Sequence, residues 1–115
     1  MSLKRIDCGP RMSQAVVHNG IVYLAGQVGA EGADAATQTE TILGKIDDLL
    51  ARAGTDKTKL LTAQVWCADM GRDFAEMNRV WDAWVAEGCA PARWTGEARP
   101  ATDGYRVEII VTAAI

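Results

Sequence analysis

The sequence feature that most constrains the fold is an Asn-Gly pair that separates two short β-rich runs. Asn19-Gly20 lies between residues 13–18 and residues 21–25, and both residues tolerate the positive φ angles of a type I′ turn. Because a turn of this kind joins antiparallel neighbours, the chain is predicted to begin with a β-hairpin. Residues 3–7 are predicted to add an edge strand to it.

Two later stretches have apolar side chains at the three- and four-residue steps of an amphipathic helix. The first covers residues 34–53 and is followed by Gly54, a common residue at helix C-termini. The second begins near Asp73, where Glu76 completes a pattern that resembles a capping box, and it ends before Gly88. Its predicted apolar face consists of Phe74, Met77, Trp81, Trp84 and Val85.

Three further β-rich segments complete the predicted fold. Residues 60–67, 92–98 and 105–114 favour strands, and Asp103-Gly104 predicts a tight turn between the last two. This order predicts a two-layer α+β fold, with two helices on one face of a mixed sheet. A length of 115 residues is typical of one domain, so residues 1–115 are predicted to form a single domain.

The central strands predict an oligomer. If their apolar residues lie on the face opposite the helices, a lone chain would expose a larger apolar patch than soluble monomers usually do. The residues concerned are Val65, Val107, Ile109 and Val111. We therefore expect a closed homo-oligomer.

Composition argues against several classes of function. No segment approaches the ~20 apolar residues of a membrane span, and no apolar stretch follows residues 1–9, so we expect a cytoplasmic protein. The net charge of −3 and the scattered basic residues do not favour a nucleic acid partner. His18 is the only histidine, and Cys8, Cys67 and Cys89 are widely spaced. We predict no metal site, no cofactor and reduced thiols.

Arg93 and Glu108 are the residues to which chemistry is most readily assigned. Arg93 begins a strand just after Pro91, and its guanidinium suits bidentate recognition of a small carboxylate. From the residues alone, a solvated arginine at a strand end is the simpler interpretation. Glu108 lies among β-branched residues, where a charge either faces solvent or has a function. An exposed glutamate paired with Arg99 or Arg106 is an equal alternative.

The predicted turn has a consequence for these two residues. A two-residue turn at Asp103-Gly104 would pair Arg99 with Glu108 and Arg93 with Ala114. Arg93 and Glu108 would then share a face of the sheet but lie about six residues, or roughly 20 Å, apart. Either the turn is longer and the register shifts, or the two groups meet across a subunit boundary. We favour the boundary.

Seven segments, taken in their order and spacing, carry a resemblance to a known family. They are residues 13–17, 22–27, 38–53, 63–69, 73–78, 90–93 and 107–109. Together they resemble the YjgF/RidA-type reactive-intermediate (enamine/imine) deaminases over essentially the whole chain. The Ala90-Pro91-Ala92-Arg93 segment and the Val107-Glu108-Ile109 strand are the most telling.

The resemblance implies a chorismate-mutase-like fold and a homotrimer, with sheets inward, helices outward and a pocket at each subunit boundary. In such proteins the arginine that matches Arg93 binds the substrate carboxylate. The glutamate that matches Glu108 is associated with orienting the attacking water. Asn78 matches a pocket residue, Gly26 lies in the pocket-lining segment, and backbone carbonyls near Thr95 are expected to accept the iminium hydrogens.

The implied substrates are 2-aminoacrylate-type enamines and their 2-imino acid tautomers, and the products are 2-keto acids and ammonia. No metal or covalent nucleophile is needed, because a protonated imine is already electrophilic. Orientation and proton transfer are then the main tasks of the protein.

The sequence departs from the family pattern at several positions. Gly9-Pro10 leads to Arg11-Met12 where an aromatic residue is common, and Ala25 stands where a hydroxyl residue often precedes Gly-Gln. Trp94 and Gly96 follow Arg93 where smaller and branched residues are common, so Trp94 either narrows the pocket or only packs. A non-enzymatic trimeric carboxylate-binding or chaperone-like protein is the main alternative function. Hydrolysis of an amide or carbamate is a third.

Overall fold

A β-hairpin opens the fold, as the Asn-Gly pair predicts. The computed structural model describes residues 2–115. In it, strand β1 (Lys4–Ile6) pairs with β2 (Ala15–His18), and β2 pairs with β3 (Ile21–Leu24), both antiparallel. Asn19 and Gly20 take φ angles of 52° and 75° in the turn. The hairpin and its edge strand are therefore confirmed.

The first helix, α1 (Ala35–Ala53), has the predicted ends. The Asp34 side chain accepts a hydrogen bond from the backbone N–H of Thr37 at 2.8 Å, as N-cap residues commonly do. Gly54 ends the helix in the left-handed region, at a φ angle of 90°, where a residue with a Cβ would be strained.

The second helix, α2 (Met70–Trp84), begins earlier than predicted because Asp69, rather than Asp73, is its N-cap. Asp73 is fully buried instead and accepts two hydrogen bonds from the Arg72 guanidinium. The prediction that Phe74 is buried was wrong, since 38% of its surface is exposed. Among residues 2–115, neither α-helix combines the length and the apolar character that a bilayer span requires.

Four more strands complete a seven-stranded sheet. They are β4 (Gln27–Val28), β5 (Leu60–Cys67), β6 (Ala92–Glu97) and β7 (Val107–Ala114). The order is β1-β2-β3-β7-β5-β6, and β4, which the sequence did not predict, pairs with β7. β5 and β6 are parallel and the other pairs are antiparallel. The α+β fold with a mixed sheet is confirmed.

The predicted pairing of the last two strands is wrong. β5 lies between β6 and β7, so Arg99 does not pair with Glu108, and Arg93 does not pair with Ala114. The physical reason is that β5, α2 and β6 form a β-α-β crossover, which requires β6 to run parallel to β5. Asp103-Gly104 forms a turn inside the connection from β6 back to β7, and it does not close a hairpin.

The apolar residues of the central strands also lie on the other face from the one assumed. They belong to the core beneath the helices, each at most 2% exposed: Val65, Val107, Ile109 and Val111. The opposite face, which we call the open face, carries Tyr23 and Trp94, which are 47% and 51% exposed. These two aromatic side chains are now the reason to expect an oligomer, which stays a prediction.

A buried glutamine fixes the start of β7. Gln38 of α1 is fully buried, and its Nε2 donates to the backbone oxygens of Ala33 and Gly104 at 2.8 and 2.9 Å. Its Oε1 accepts a hydrogen bond from the backbone N–H of Arg106 at 2.8 Å. One side chain thus ties the connection before β7 to the start of α1, and it sets the position of Glu108 two residues further along.

We expect Gln38→Ala to lower the free energy of unfolding by about 2–4 kcal/mol. It leaves the Ala33 oxygen and the Arg106 N–H without partners, at a cost of about 1–3 kcal/mol for each one that stays buried. The Gly104 oxygen, in contrast, keeps its hydrogen bond from the Gly32 N–H. Urea denaturation followed by circular dichroism measures the change. Thr41→Ala, on the exposed side of the same helix, is the matched control and should change stability by less than about 0.5 kcal/mol. Equal effects of the two substitutions would contradict the assigned role of Gln38.

Candidate functional site

Arg93 lies on the helix-covered face of β6, at the edge of the sheet, level with Ala63 of β5. Its Nη2 donates to Oδ1 of Asn78 on α2 at 2.8 Å, and its guanidinium carbon is 5.3 Å from the ring centre of Trp81. A guanidinium has five N–H donors, so donors remain for a ligand. Arg93 is a half-buried, oriented arginine and not a solvated strand end.

Glu108 lies on the open face of β7, directly opposite Val28 of β4 and Trp66 of β5. Its carboxylate packs against the backbone of Gly26, where a Cβ would overlap Oε2 of Glu108. Only glycine leaves room for the carboxylate in this position. The structure therefore brings together two of the predicted site residues, Gly26 and Glu108.

Glu108 lines a cleft of about 190 Å³ on the open face. The aromatic wall of this cleft is Trp66, and two guanidinium side chains, Arg99 and Arg106, line it as well. Arg106 is partly engaged elsewhere, because its Nε lies 3.7 Å from a carboxylate oxygen of the buried Asp73. Trp66 belongs to no motif that would select it from the sequence, and its only signal is an aromatic residue at an outward position of an alternating strand.

Arg93 and Glu108 do not share a face of the sheet, which corrects the prediction. The register places Arg93 level with the buried Ala63 and Val111, whereas Glu108 is level with Trp66 and belongs to the other set of alternating residues. Strand β5 also separates the two strands that carry them. The connection before β7 is longer than a two-residue turn, but it does not bring the pair together within one chain.

The residues that follow Arg93 divide between the two faces. Thr95 is half-buried and level with Val65 on the helix-covered face. Trp94 lies on the open face, where its ring centre is 4.4 Å from that of Trp66 and the two rings meet edge to face. β6 ends the sheet formed by residues 2–115, so some backbone carbonyls around Thr95 point away from any strand of the chain.

The cysteines offer little nucleophilic chemistry at this site. Cys67 lies beneath the helices, and its burial raises the pKa of the thiol to about 11, with the negative charge of Asp73 adding to the rise and Arg93 opposing it. Cys8 is exposed and Cys89 is partly exposed, and all three are free thiols. In the described part of the chain, no cluster of histidine, cysteine and acidic side chains could hold a metal ion.

Comparison with known proteins identifies the family. The model of the family described as Endoribonuclease L-PSP matches residues 3–115. A RutC family protein of Haemophilus ducreyi is 48% identical over 114 residues, which cover 98% of this chain and 97% of that protein. The crystal structure of a YjgF-family protein of Neisseria meningitidis superimposes with a TM-score of 0.95 at 48% identity, over 99% of this chain and 95% of the other. The chain belongs to the YjgF/RidA family.

A more distant family member has an activity in its name. A bovine protein named 2-iminobutanoate/2-iminopropanoate deaminase is 32% identical over 104 residues, which cover 84% of this chain and 74% of the bovine protein. The resemblance to the YjgF/RidA family drawn from the sequence is thus confirmed at the level of the family.

We expect Gly26→Ala to displace the Glu108 carboxylate without unfolding the protein, because the obstacle to the new Cβ is the end of a flexible side chain. The loss of stability should shrink when Glu108 is also changed to alanine, with a coupling of about 0.5–3 kcal/mol between the two sites. Urea denaturation of the two single variants and the double variant measures this coupling. Gly44→Ala, at an exposed helix position with open space for a Cβ, is the control. Additive losses at Gly26 and Glu108 would contradict the contact.

Proposed function

We propose that this protein hydrolyses 2-imino acids and their enamine tautomers to 2-keto acids and ammonia, at sites formed between the protomers of a homotrimer. Arg93 of one protomer binds the substrate carboxylate, and Glu108 of its neighbour positions the attacking water. The observation that carries the proposal is the arginine fork, which Asn78 and Trp81 hold at the sheet edge.

The geometry around Arg93 supports carboxylate binding. The Asn78 amide oxygen accepts a hydrogen bond from one N–H of the guanidinium. The Trp81 ring lies within the distance of a cation–π contact with it. A fork that is fixed before the ligand arrives loses less conformational entropy on binding. Two parallel N–H···O bonds to a carboxylate would then set the direction of the reacting carbon.

The position of Glu108 suits proton transfer. Its carboxylate is partly exposed and lines a cleft large enough for a small ligand and a water. The water adds to the carbon of the protonated C=N bond and gives one proton to Glu108. The substrate thereby becomes a carbinolamine. Glu108 returns the proton to the amino nitrogen. The C–N bond then breaks with its electron pair on nitrogen, the hydroxyl group passes its proton to Glu108 as its oxygen forms the C=O bond, and ammonia and the keto acid are released. Help of this kind contributes typically about 10²–10⁴-fold in rate.

Family membership supports this chemistry at a coarser level. The bovine relative is named a 2-iminobutanoate/2-iminopropanoate deaminase, whereas the more similar Haemophilus ducreyi protein carries only the RutC family name. The description of the family model refers to an endoribonuclease. A net charge of −3 and a single histidine favour a small carboxylate over RNA as the ligand.

A protein that binds carboxylates without turnover is the second candidate. It is favoured by the departures from the family pattern at Ala25 and Trp94, which flank the proposed site. Such a protein would be stabilised against heat by 2-ketobutyrate but would not accelerate the hydrolysis of any imine.

An assay distinguishes the two candidate functions. An amino acid oxidase generates 2-imino acids, and semicarbazide traps the 2-imino acids that the protein has not hydrolysed. We expect Glu108→Gln to lower the rate constant by about 10²–10⁴-fold. Arg93→Ala should abolish detectable turnover, and Arg93→Lys should restore little of it, because lysine keeps the charge but loses the fork. Arg5→Ala, on the edge strand β1, is the control. Normal turnover by Arg93→Ala would rule out the proposed site.

Mixing two inactive variants tests whether each site spans a boundary. Arg93→Ala and Glu108→Gln are unfolded together, refolded at equal concentrations, and their assembly is checked by sedimentation. If the two groups come from different protomers, about a quarter of the boundaries in the mixed assemblies regain both residues, and activity recovers to about that fraction of the wild type. Each variant refolded alone is the control. Trimers that mix but stay inactive would contradict the shared site.

A further inference from the structure

The two residues of β6 that depart from the family pattern form one steric unit. A Cβ on Gly96 would lie 2.5 Å from Cη2 of Trp94 and 3.1 Å from two other ring carbons, so the indole lies across the Gly96 backbone. A branched residue at position 96 would push the indole away. The glycine is therefore what allows Trp94 its position.

This position aligns the indole with Glu108. Gly96 is level with Trp66, and Trp66 is level with Glu108, so the three residues form one row across the open face. The Trp94 ring, by covering Gly96, fills the end of this row and meets the Trp66 ring edge to face at 4.4 Å. Trp66 thus has a large aromatic neighbour that does not itself line the cleft, and this neighbour opposes movement of the Trp66 ring toward it.

The cleft that Trp66 bounds is small. Its volume is about 190 Å³, and a cavity of about 150 Å³ is known to hold one benzene molecule. A keto or imino acid with a side chain of one or two carbons fits within such a volume, whereas one with a phenyl or butyl group fills more of it, and the cleft widens if Trp66 moves away. The Trp94 ring opposes that movement.

We propose that Trp94 is a specificity-determining residue, which acts through Trp66 to restrict the Glu108 cleft to 2-imino and 2-keto acids with short side chains. The inference rests on the proposed function for the identity of the ligand. The proposed role of Trp94 is to select ligands by the size of their side chain, and this selection is measured by binding as well as by turnover.

The experiment compares the wild-type protein with the double variant Trp94→Ala/Gly96→Val, which replaces the pair by a small and a branched residue. Calorimetry gives the dissociation constants of pyruvate, 2-ketobutyrate, 2-ketohexanoate and phenylpyruvate. We expect the wild type to bind 2-ketobutyrate at least about tenfold more tightly than the two long ligands. In the double variant the preference should fall to within about threefold.

Two further variants control for folding and for general effects. Trp94→Ala alone removes a half-exposed ring. It should also reduce the preference for 2-ketobutyrate over the long keto acids, even if the double variant folds poorly. Trp84→Phe changes a tryptophan that pairs with Asp47 on the helix side and should leave the chain-length preference unchanged. Sedimentation of each variant separates a change of assembly from a change of preference.

The outcomes distinguish this inference from the proposed function. Equal binding of short and long keto acids by the wild type, or an unchanged preference in both Trp94 variants, would overturn the role of Trp94. A wild-type protein that selects short keto acids but hydrolyses no imine would support size selection and reject the deaminase activity. If the wild type hydrolyses imines but its preference for short keto acids is unchanged in the Trp94 variants, the deaminase activity would be supported and the role of Trp94 rejected.

Discussion

Strand β7 is the constraint on which the rest of the structure depends, because it is paired on both sides. β3 and β4 lie along one side of it and β5 along the other. Its alternate residues from Val107 to Ala113 are buried beneath the helices, whereas Glu108 and the other alternate residues face outward. A slip of one residue would exchange the two sets and bury the carboxylate in the core. Gln38 opposes such a slip by holding the backbone of Gly104 and Arg106 just before the strand begins.

The same alternation explains why a single chain does not complete the proposed site. Arg93 lies on the helix-covered face of the edge strand β6, and Glu108 lies on the open face of the central strand β7. In a closed ring of identical subunits, each boundary joins different surfaces of two neighbours. A chain with the two groups of the proposed site on opposite faces can therefore give one group to the boundary on each side. The half-exposed Tyr23 and Trp94 on the open face fit the same arrangement, because burial in an interface would remove them from water.

Much of the fold could be predicted because its signals are local. The Asn19-Gly20 turn and the end of α1 at Gly54 each depend on residues close together in sequence, and both are where the sequence predicts them. The pairing of β6 is different, since it depends on the crossover through α2 and not on the Asp103-Gly104 turn. Asp73 misled the prediction of the α2 start, because its charge suggested a cap and its partner Arg72 instead allows it to be buried. For the site, the residue types of Arg93 and Glu108 were informative. Trp66 could be placed beside Glu108 only from the pairing register of β5 and β7.

The proposed chemistry asks for orientation more than for strong acids or bases, and the contacts around the site reflect this. A protonated imine already attracts water, so the protein contributes mainly by limiting the directions from which water and proton acceptor can approach. Asn78 and Trp81 fix the guanidinium, and the absence of a side chain at Gly26 lets the Glu108 carboxylate lie against the backbone. None of these supporting residues needs to touch the reacting atoms. Because their effect is to reduce the freedom of Arg93 and Glu108, the proposed deaminase activity needs few polar groups beyond these two.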